Sequence, residues 1–264
     1  MKHPDSALRI DTRLGDQELV RQMYAPHTSW PSIGPRFHKL PSHYSFDLAE
    51  GIREMEALRS QYAFEQVKVT KTKKKYTYRG LALTSRPNAE SPLYDALQVF
   101  GEGETQLDID TVIGSTSERT TERKVYPIRE TMFSEFTEAC TPWYKNLLAK
   151  FRSPLLKVRL LELRPGGVLT SHIDFPYYEG IRIHSILTTN EDCWWEVDGE
   201  RRQLPADGSF YWMDVGKYHS VWNMGTTPRI VLSVNLSVYK NRDGSLRPGV
   251  QGKDLISLFD EALV

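Results

Sequence analysis

From residue 155 onward the chain breaks into eight short strand-like runs separated by turn signals. No other feature constrains the fold as strongly. The runs are Leu156 to Leu163, Val168 to Asp174, Ile181 to Thr188, Cys193 to Val197, Arg201 to Leu204, Ser209 to Met213, His219 to Trp222 and Arg229 to Tyr239. Asp198-Gly199 sits between two of them, and this dipeptide supplies the two positive-φ positions that a two-residue hairpin needs. "RPGG" at 164 to 167 and "NMGTTP" at 223 to 228 mark further reversals. Short strands at this spacing close into a sandwich or a jelly roll, because only closure or stacking hides so many edges. The fold class expected is therefore mainly β with buttressing helices, around a sandwich or jelly-roll core.

Upstream, Leu48, Ile52, Met55, Leu58 and Tyr62 recur at helical spacing, with Ser45 or Asp47 available to cap the first turn. A second stripe combines Phe133, Phe136 and Cys140 with Trp143, Leu147, Leu148 and Phe151. Because Pro142 can begin a helix but not continue one, that stripe reads as one kinked helix or two short ones. Lys68 to Lys75 carries five lysines, and the alternation around it reads as a strand with a solvated face. The stretch from Arg86 to Arg129 reads as loop. "GEGE" at 101 to 104 lacks the strand-then-helix setting of a nucleotide loop. The expected organisation is a single domain over 1–264. It comprises an irregular arm at 1–45, a helical and strand support region at 46–151, a jelly-roll core at 152–240, and a tail at 241–264 with a short helix.

Composition narrows the function. Thirty-four Lys and Arg balance thirty-four Asp and Glu, so the formal net charge is zero. That leaves neither the footprint of a phosphate-neutralising nucleic-acid binder nor that of a polybasic membrane-surface protein. No run approaches the ~18 apolar residues of a membrane span, and Met1 to Gly15 has no apolar core of a secretory signal. Cys140 and Cys193 are too few for a disulfide framework, and they read as two free buried thiols rather than one bridge. A cytoplasmic protein is expected.

Of seven histidines, those at 3, 27, 38 and 43 lie in the irregular arm with no carboxylate at ligand spacing. His172 and Asp174 are two apart, so on a strand both side chains leave the same face. His219 follows Asp174 by 45 positions, a distance over which a closed jelly roll can return beside the first pair. Two imidazoles and one carboxylate on one face of a metal suit non-haem Fe(II) and leave positions open for a chelating co-substrate and dioxygen. Zinc accepts the same donors, although a structural zinc site would want a closed fourth ligand that neither cysteine is spaced to give. Arg229, ten residues past His219, opens an apolar strand. A guanidinium there points inward and needs an anion, either a bidentate ligand carboxylate or a structural Asp or Glu. Arg182 and His184 share one face of a strand whose other positions, Ile181 and Ile183, are apolar. The histidine could be a satisfied core residue, but an inward Arg beside it again asks for an anion. Asp214 reads as closing the turn before His219 or as bonding its imidazole. Tyr177, Tyr178, Trp194, Trp195 and Trp222 are set around the mouth of this region.

"SHID", "RIHSIL" and "DVGKYHSVWNMGTTPR" together resemble the 2-oxoglutarate- and Fe(II)-dependent oxygenases, in particular the aspartyl/asparaginyl β-hydroxylase-like group with its bacterial free-amino-acid hydroxylases. The resemblance covers roughly residues 155 to 240 and implies that the jelly-roll core is a double-stranded β-helix, cupin-like one. It implies that His172, Asp174 and His219 ligate iron, that Arg229 holds the distal carboxylate of 2-oxoglutarate, and that Arg182 and His184 lie near the other carboxylate. It also implies hydroxylation of a C–H bond with release of succinate and CO2, and a carboxylate at 174 leaves no room for the halide of a halogenase. The expected partners are a small-molecule substrate (an amino acid or a derivative), 2-oxoglutarate and dioxygen, with neither nucleic acid nor membrane. Three competing readings are a hydroxylase of a peptide or protein side chain, a cupin-like metalloenzyme that does not use 2-oxoglutarate, and a non-catalytic binding module.

Overall fold

The computed structural model describes residues 34–66, 78–97, 132–174, 180–250 and 253–264. The lysine run at 68 to 75, the "GEGE" segment, Tyr177, Tyr178 and the arm before residue 34 lie outside the described residues. The expected mainly-β architecture is what the chain forms. Strand β1 (Phe37–Lys39) leads to helix α1 (Leu48–Gln61), followed by β2 (Glu65–Gln66), β3 (Tyr78–Ala82), β4 (Thr84–Ser85), α2 (Pro92–Asp95), β5 (Glu135–Phe136) and α3 (Pro142–Leu148). The eight-strand run then comprises β6 (Leu155–Leu163), β7 (Gly167–His172), β8 (Ile181–Thr188), β9 (Cys193–Val197), β10 (Glu200–Arg202), β11 (Phe210–Met213), β12 (His219–Asn223) and β13 (Arg229–Leu236). Helix α4 (Leu255–Asp260) closes the described chain. Among the described residues no helix is long and apolar enough to cross a membrane.

Seven strands form one sheet in the order β1-β11-β8-β13-β6-β3-β2, and four form a second in the order β10-β9-β12-β7. The two are the stacked sheets of a double-stranded β-helix. Asp198 and Gly199 take φ values of 49° and 81°, so the expected hairpin joins β9 to β10 with Glu200 opposite Val197.

Strand alternation sorts side chains between two cores. On the outer face of the large sheet, Ile181, Ile183, Phe210, Trp212, Leu232 and Val234 pack against Met55 and Leu58 of α1, Tyr144 and Leu148 of α3, and Leu258 and Phe259 of α4. On its inner face Leu163, Ile186, Met213 and Val231 meet Cys193, Trp195, Val197 and Val221 of the small sheet. Other positions on this inner face carry the buried polar residues Arg159, His184, Arg229 and Ser233.

Asp47, one of the two expected caps, accepts a hydrogen bond from the Glu50 amide at 2.8 Å and starts α1. Gly51 is buried within this helix, and a Cβ there would come 2.5 Å from the Phe46 ring and 3.3 Å from Trp143. Phe46 cannot easily yield, because it meets both Trp143 and Phe210 edge-on. Ala is the better helix former by roughly 1 kcal/mol, but overpacking costs about 1–3 kcal/mol. Gly51→Ala is therefore expected to lower the stability read by chemical denaturation.

The second stripe departs from expectation. Only Pro142–Leu148 is helical, with Pro142 in its first turn. Glu135–Phe136 instead pairs with Thr84–Ser85, and Phe136 is 45% exposed while Phe133 is buried. Proline disfavours helical backbone at the residue before it, so a helix cannot run through Thr141 into Pro142 without cost. The expected loop from Arg86 likewise contains one helical turn at Pro92–Asp95.

Candidate metal and co-substrate site

His172 ends β7 and His219 opens β12, and the antiparallel register sets them directly opposite each other. Their rings lie 4.2 Å apart between centroids. Asp174 follows just beyond β7, where its amide donates to the Val215 carbonyl at 2.9 Å. The expected strand therefore stops two residues short of Asp174, and the turn before β12 holds the carboxylate in its place. Asp174 Oδ1 is 3.5 Å from His172 Nε2, and Oδ2 is 3.7 Å from His219 Nε2. One donor atom from each of the three residues falls within 4.8 Å of the others.

Backbone carbonyls orient both imidazoles. His172 Nδ1 lies 2.7 Å from the Thr170 carbonyl and His219 Nδ1 lies 2.9 Å from that of Lys217. A carbonyl only accepts, so each Nδ1 carries the proton and each Nε2 lone pair faces the centre of the cluster. Asp214 does not bond the imidazole. Its backbone carbonyl accepts from the Lys217 amide at 3.1 Å, which closes the turn and so places the Lys217 carbonyl.

Electrostatics keep these donors ready. Burial, with a smaller push from His172, lowers the His219 pKa to about 4 despite the opposing pull of Asp174, so the ring is neutral at pH 7. Burial works against ionisation of Asp174, but Arg182, the two imidazoles and Arg159 outweigh it and hold the carboxyl well below the usual carboxylate range. Arg182 Nη1 donates to Asp174 Oδ2, and Arg182 Nε donates to Asn235 Oδ1 at 2.9 Å. The structure thus sets Arg182 on the Asp174 carboxylate.

Arg229 is 4% exposed and faces inward from β13, as expected. Among the described residues no carboxylate pairs with it, and its Nη2 has no hydrogen-bond partner. The guanidinium instead lies 4.4 Å from the centroid of the Trp195 ring. Burial lowers its pKa to about 10, so it stays charged at neutral pH. His184 is also buried, with Nδ1 unpartnered, and its ring sits 5.1 Å from Trp195. Burial, reinforced by Arg229 and Arg182, pushes its pKa well below the ordinary value and leaves it neutral. Ser233 Oγ, on the residue opposite His184 in β13, is another buried atom with no partner. Unpartnered polar groups this close together cost roughly 1–3 kcal/mol each unless a ligand satisfies them.

Trp194 and Trp222 do not contribute. They oppose each other on the outward face of the small sheet, and Arg201 covers Trp222 at 5.2 Å. The sequence reading missed Lys157 and Arg159, two cations on β6 that are 3% exposed each. Arg159 opposes Ser233 in register and so shares the inner face. The signal was present in "LLKVRLLEL", where both cations alternate with apolar residues.

The described residues thus bring together two imidazoles, a carboxylate and an inward arginine that no described carboxylate pairs. Residues 123–237 match the family described as Aspartyl/Asparaginyl beta-hydroxylase. Over that span the chain is similar to the aspartyl/asparaginyl β-hydroxylases. An oxidoreductase of the 2OG-Fe(II) oxygenase family from Burkholderia pseudomallei is 14% identical, covering 88% of this chain and 93% of its own, with a TM-score of 0.41. The viral collagen prolyl hydroxylase from Paramecium Bursaria Chlorella virus-1 is 10% identical over 76% of this chain and 96% of its own, at a TM-score of 0.39. TT1209 from Thermus thermophilus is 21% identical over 33% of this chain and 76% of its own, at 0.26. No curated protein matches the chain.

Proposed function

We propose that this chain is a 2-oxoglutarate- and Fe(II)-dependent hydroxylase of a small amino-acid-like substrate. His172, Asp174 and His219 would hold the iron, Arg229 the distal carboxylate of 2-oxoglutarate, and Arg182 and His184 would lie toward the other carboxylate. The observation that carries the reading is the buried Arg229 guanidinium, with no carboxylate partner among the described residues, in the same β-sandwich as three converging donor atoms. The donor set fits Fe(II) because three protein donors leave other coordination positions for ligands and mix nitrogen with a hard oxygen. When bound, iron with 2-oxoglutarate and dioxygen supplies the oxidising chemistry, which yields succinate, CO2 and a hydroxylated C–H bond.

The chain's own residues prepare that chemistry. The Thr170 and Lys217 carbonyls fix the tautomers that aim both Nε2 lone pairs at the metal position. Arg182, tied to Asn235, keeps the Asp174 carboxylate ionised and oriented. The stacked sheets keep water away from Arg229, which strengthens its attraction for a carboxylate. The cupin-like alternative without 2-oxoglutarate expects Arg229 to be salt-bridged, and the absence of a carboxylate partner among the described residues weighs against it. The two free, buried cysteines suit the reducing cytoplasm, the compartment proposed for it.

Zero net charge favours a small substrate over nucleic acid. The family description, which names aspartyl and asparaginyl groups, favours a second reading in which a peptide side chain is hydroxylated. Succinate formation measured with free amino acids, their N-acyl and dipeptide derivatives, longer peptides and single-stranded oligonucleotides separates the two. A gain of one oxygen on a free amino acid is the expected result. Stimulation only by longer peptides, folded protein or oligonucleotides would overturn the small-substrate reading.

A further inference from the structure

Trp195 lies where β9 brings its inward residues against β13, and its 4% exposed side chain belongs to the inner core. Its indole face supports the Arg229 guanidinium at 4.4 Å and meets the His184 ring at 5.1 Å. An indole nitrogen only donates, and it normally finds a partner when buried. Here Nε1 is buried with no acceptor, in the same small volume as the unpartnered Arg229 Nη2 and His184 Nδ1. A guanidinium, an indole N–H and an imidazole with no acceptor between them describe a cradle for a carboxylate with more than one oxygen to satisfy. Core packing alone leaves the nitrogen unexplained, since Phe would fill the same apolar space without an orphaned donor.

We infer that Trp195 is a co-substrate-binding residue, its indole N–H donating to the distal 2-oxoglutarate carboxylate that Arg229 would hold. The inference rests on the proposed use of 2-oxoglutarate and adds a donor that the sequence placed only among several aromatics at the mouth. Trp194, its neighbour on the strand, faces outward opposite Trp222 and serves as the control.

The test is Trp195→Phe, which keeps an aromatic shelf for Arg229 and removes only the N–H. Calorimetric titration of 2-oxoglutarate into the metal-loaded full chain should give a Kd at least tenfold weaker than that of the unsubstituted protein. Iron affinity should stay close to parental, and Trp194→Phe should bind 2-oxoglutarate as the parent does. A folded Trp195→Phe protein with parental affinity overturns the inference alone. Failure of the unsubstituted protein to bind 2-oxoglutarate overturns the underlying reading and the inference with it. If the Phe variant does not fold, the 15N indole spectrum of the unsubstituted zinc-loaded protein decides. One of the six tryptophan signals should move downfield on adding 2-oxoglutarate, and a spectrum in which none moves overturns the inference.

Discussion

Asp174→Ala is expected to lose stoichiometric Fe(II) binding and, with it, turnover. Removing an outer hydrogen-bond partner of a ligand typically costs roughly 10–100-fold in metal affinity, and loss of the only carboxylate in the donor set should exceed that. The same substitution has a second effect, because Asp174 is ion-paired to Arg182 with both side chains largely enclosed, at 14% and 15% exposure. Breaking a buried pair by removing one partner costs about 3–5 kcal/mol, and this partly open pair belongs at the lower end. The metal-free variant should therefore melt earlier than the metal-free parent. Adding Arg182→Met to Asp174→Ala removes the stranded cation and should recover much of the stability, while iron binding stays lost. A parental iron affinity in Asp174→Ala would remove this residue from the donor set. The pH dependence follows from the same contact. The folded pKa of Asp174 is depressed, so its contribution is present above the unfolded value near 4 and is lost as pH falls toward the folded one. Metal-free parent protein should thus lose stability more steeply below about pH 4 than Asp174→Ala does.

Much of this site could be read from spacing, for physical reasons that also explain what could not. The two-residue spacing anticipated that His172 and Asp174 converge, although the strand ends at His172 and the Val215 carbonyl holds Asp174. The long return to His219 is what a closed β-fold does with successive short strands. The β7–β12 register then sets the two histidines opposite each other. The inward aim of Arg229 followed from its apolar neighbours at alternate positions. By contrast, the carbonyls of Thr170 and Lys217 that orient the imidazoles are backbone groups and leave no residue signature. Which of Trp194 and Trp195 faces inward depends on register, and the alternation Cys193, Trp195, Val197 settles it only once β9 is paired. Similarly, the choice of Asp174 as the partner of Arg182 is a tertiary fact, since a guanidinium on β8 reaches several acceptors. The misread stripe from Phe133 shows the other limit. Three apolar residues at helical spacing were overridden by a two-residue β-pairing and by the proline that follows.

Arg229→Met should separate a ligand-binding arginine from a structural one by moving stability and co-substrate affinity in opposite directions. A guanidinium buried without a carboxylate bears its desolvation cost in full, an effective several kcal/mol per ion. Its contact with Trp195 returns only about 0.5–2 kcal/mol. Met fills a similar length with apolar atoms and no charge, so the ligand-free variant should melt at or above the parental Tm. Binding should suffer at the same time, because the carboxylate of 2-oxoglutarate would enter the cavity without its bidentate partner. Loss of one member of a buried charge pair costs about 2–5 kcal/mol, and with about 1.4 kcal/mol per tenfold the KM for 2-oxoglutarate should rise by well over tenfold. Iron binding should be spared, since Arg229 is not one of the three donors that converge on the metal position. A structural salt bridge predicts the reverse pair of results, a lower Tm with an unchanged KM. Measuring both quantities on one variant therefore decides between the two readings, whichever way the absolute values fall.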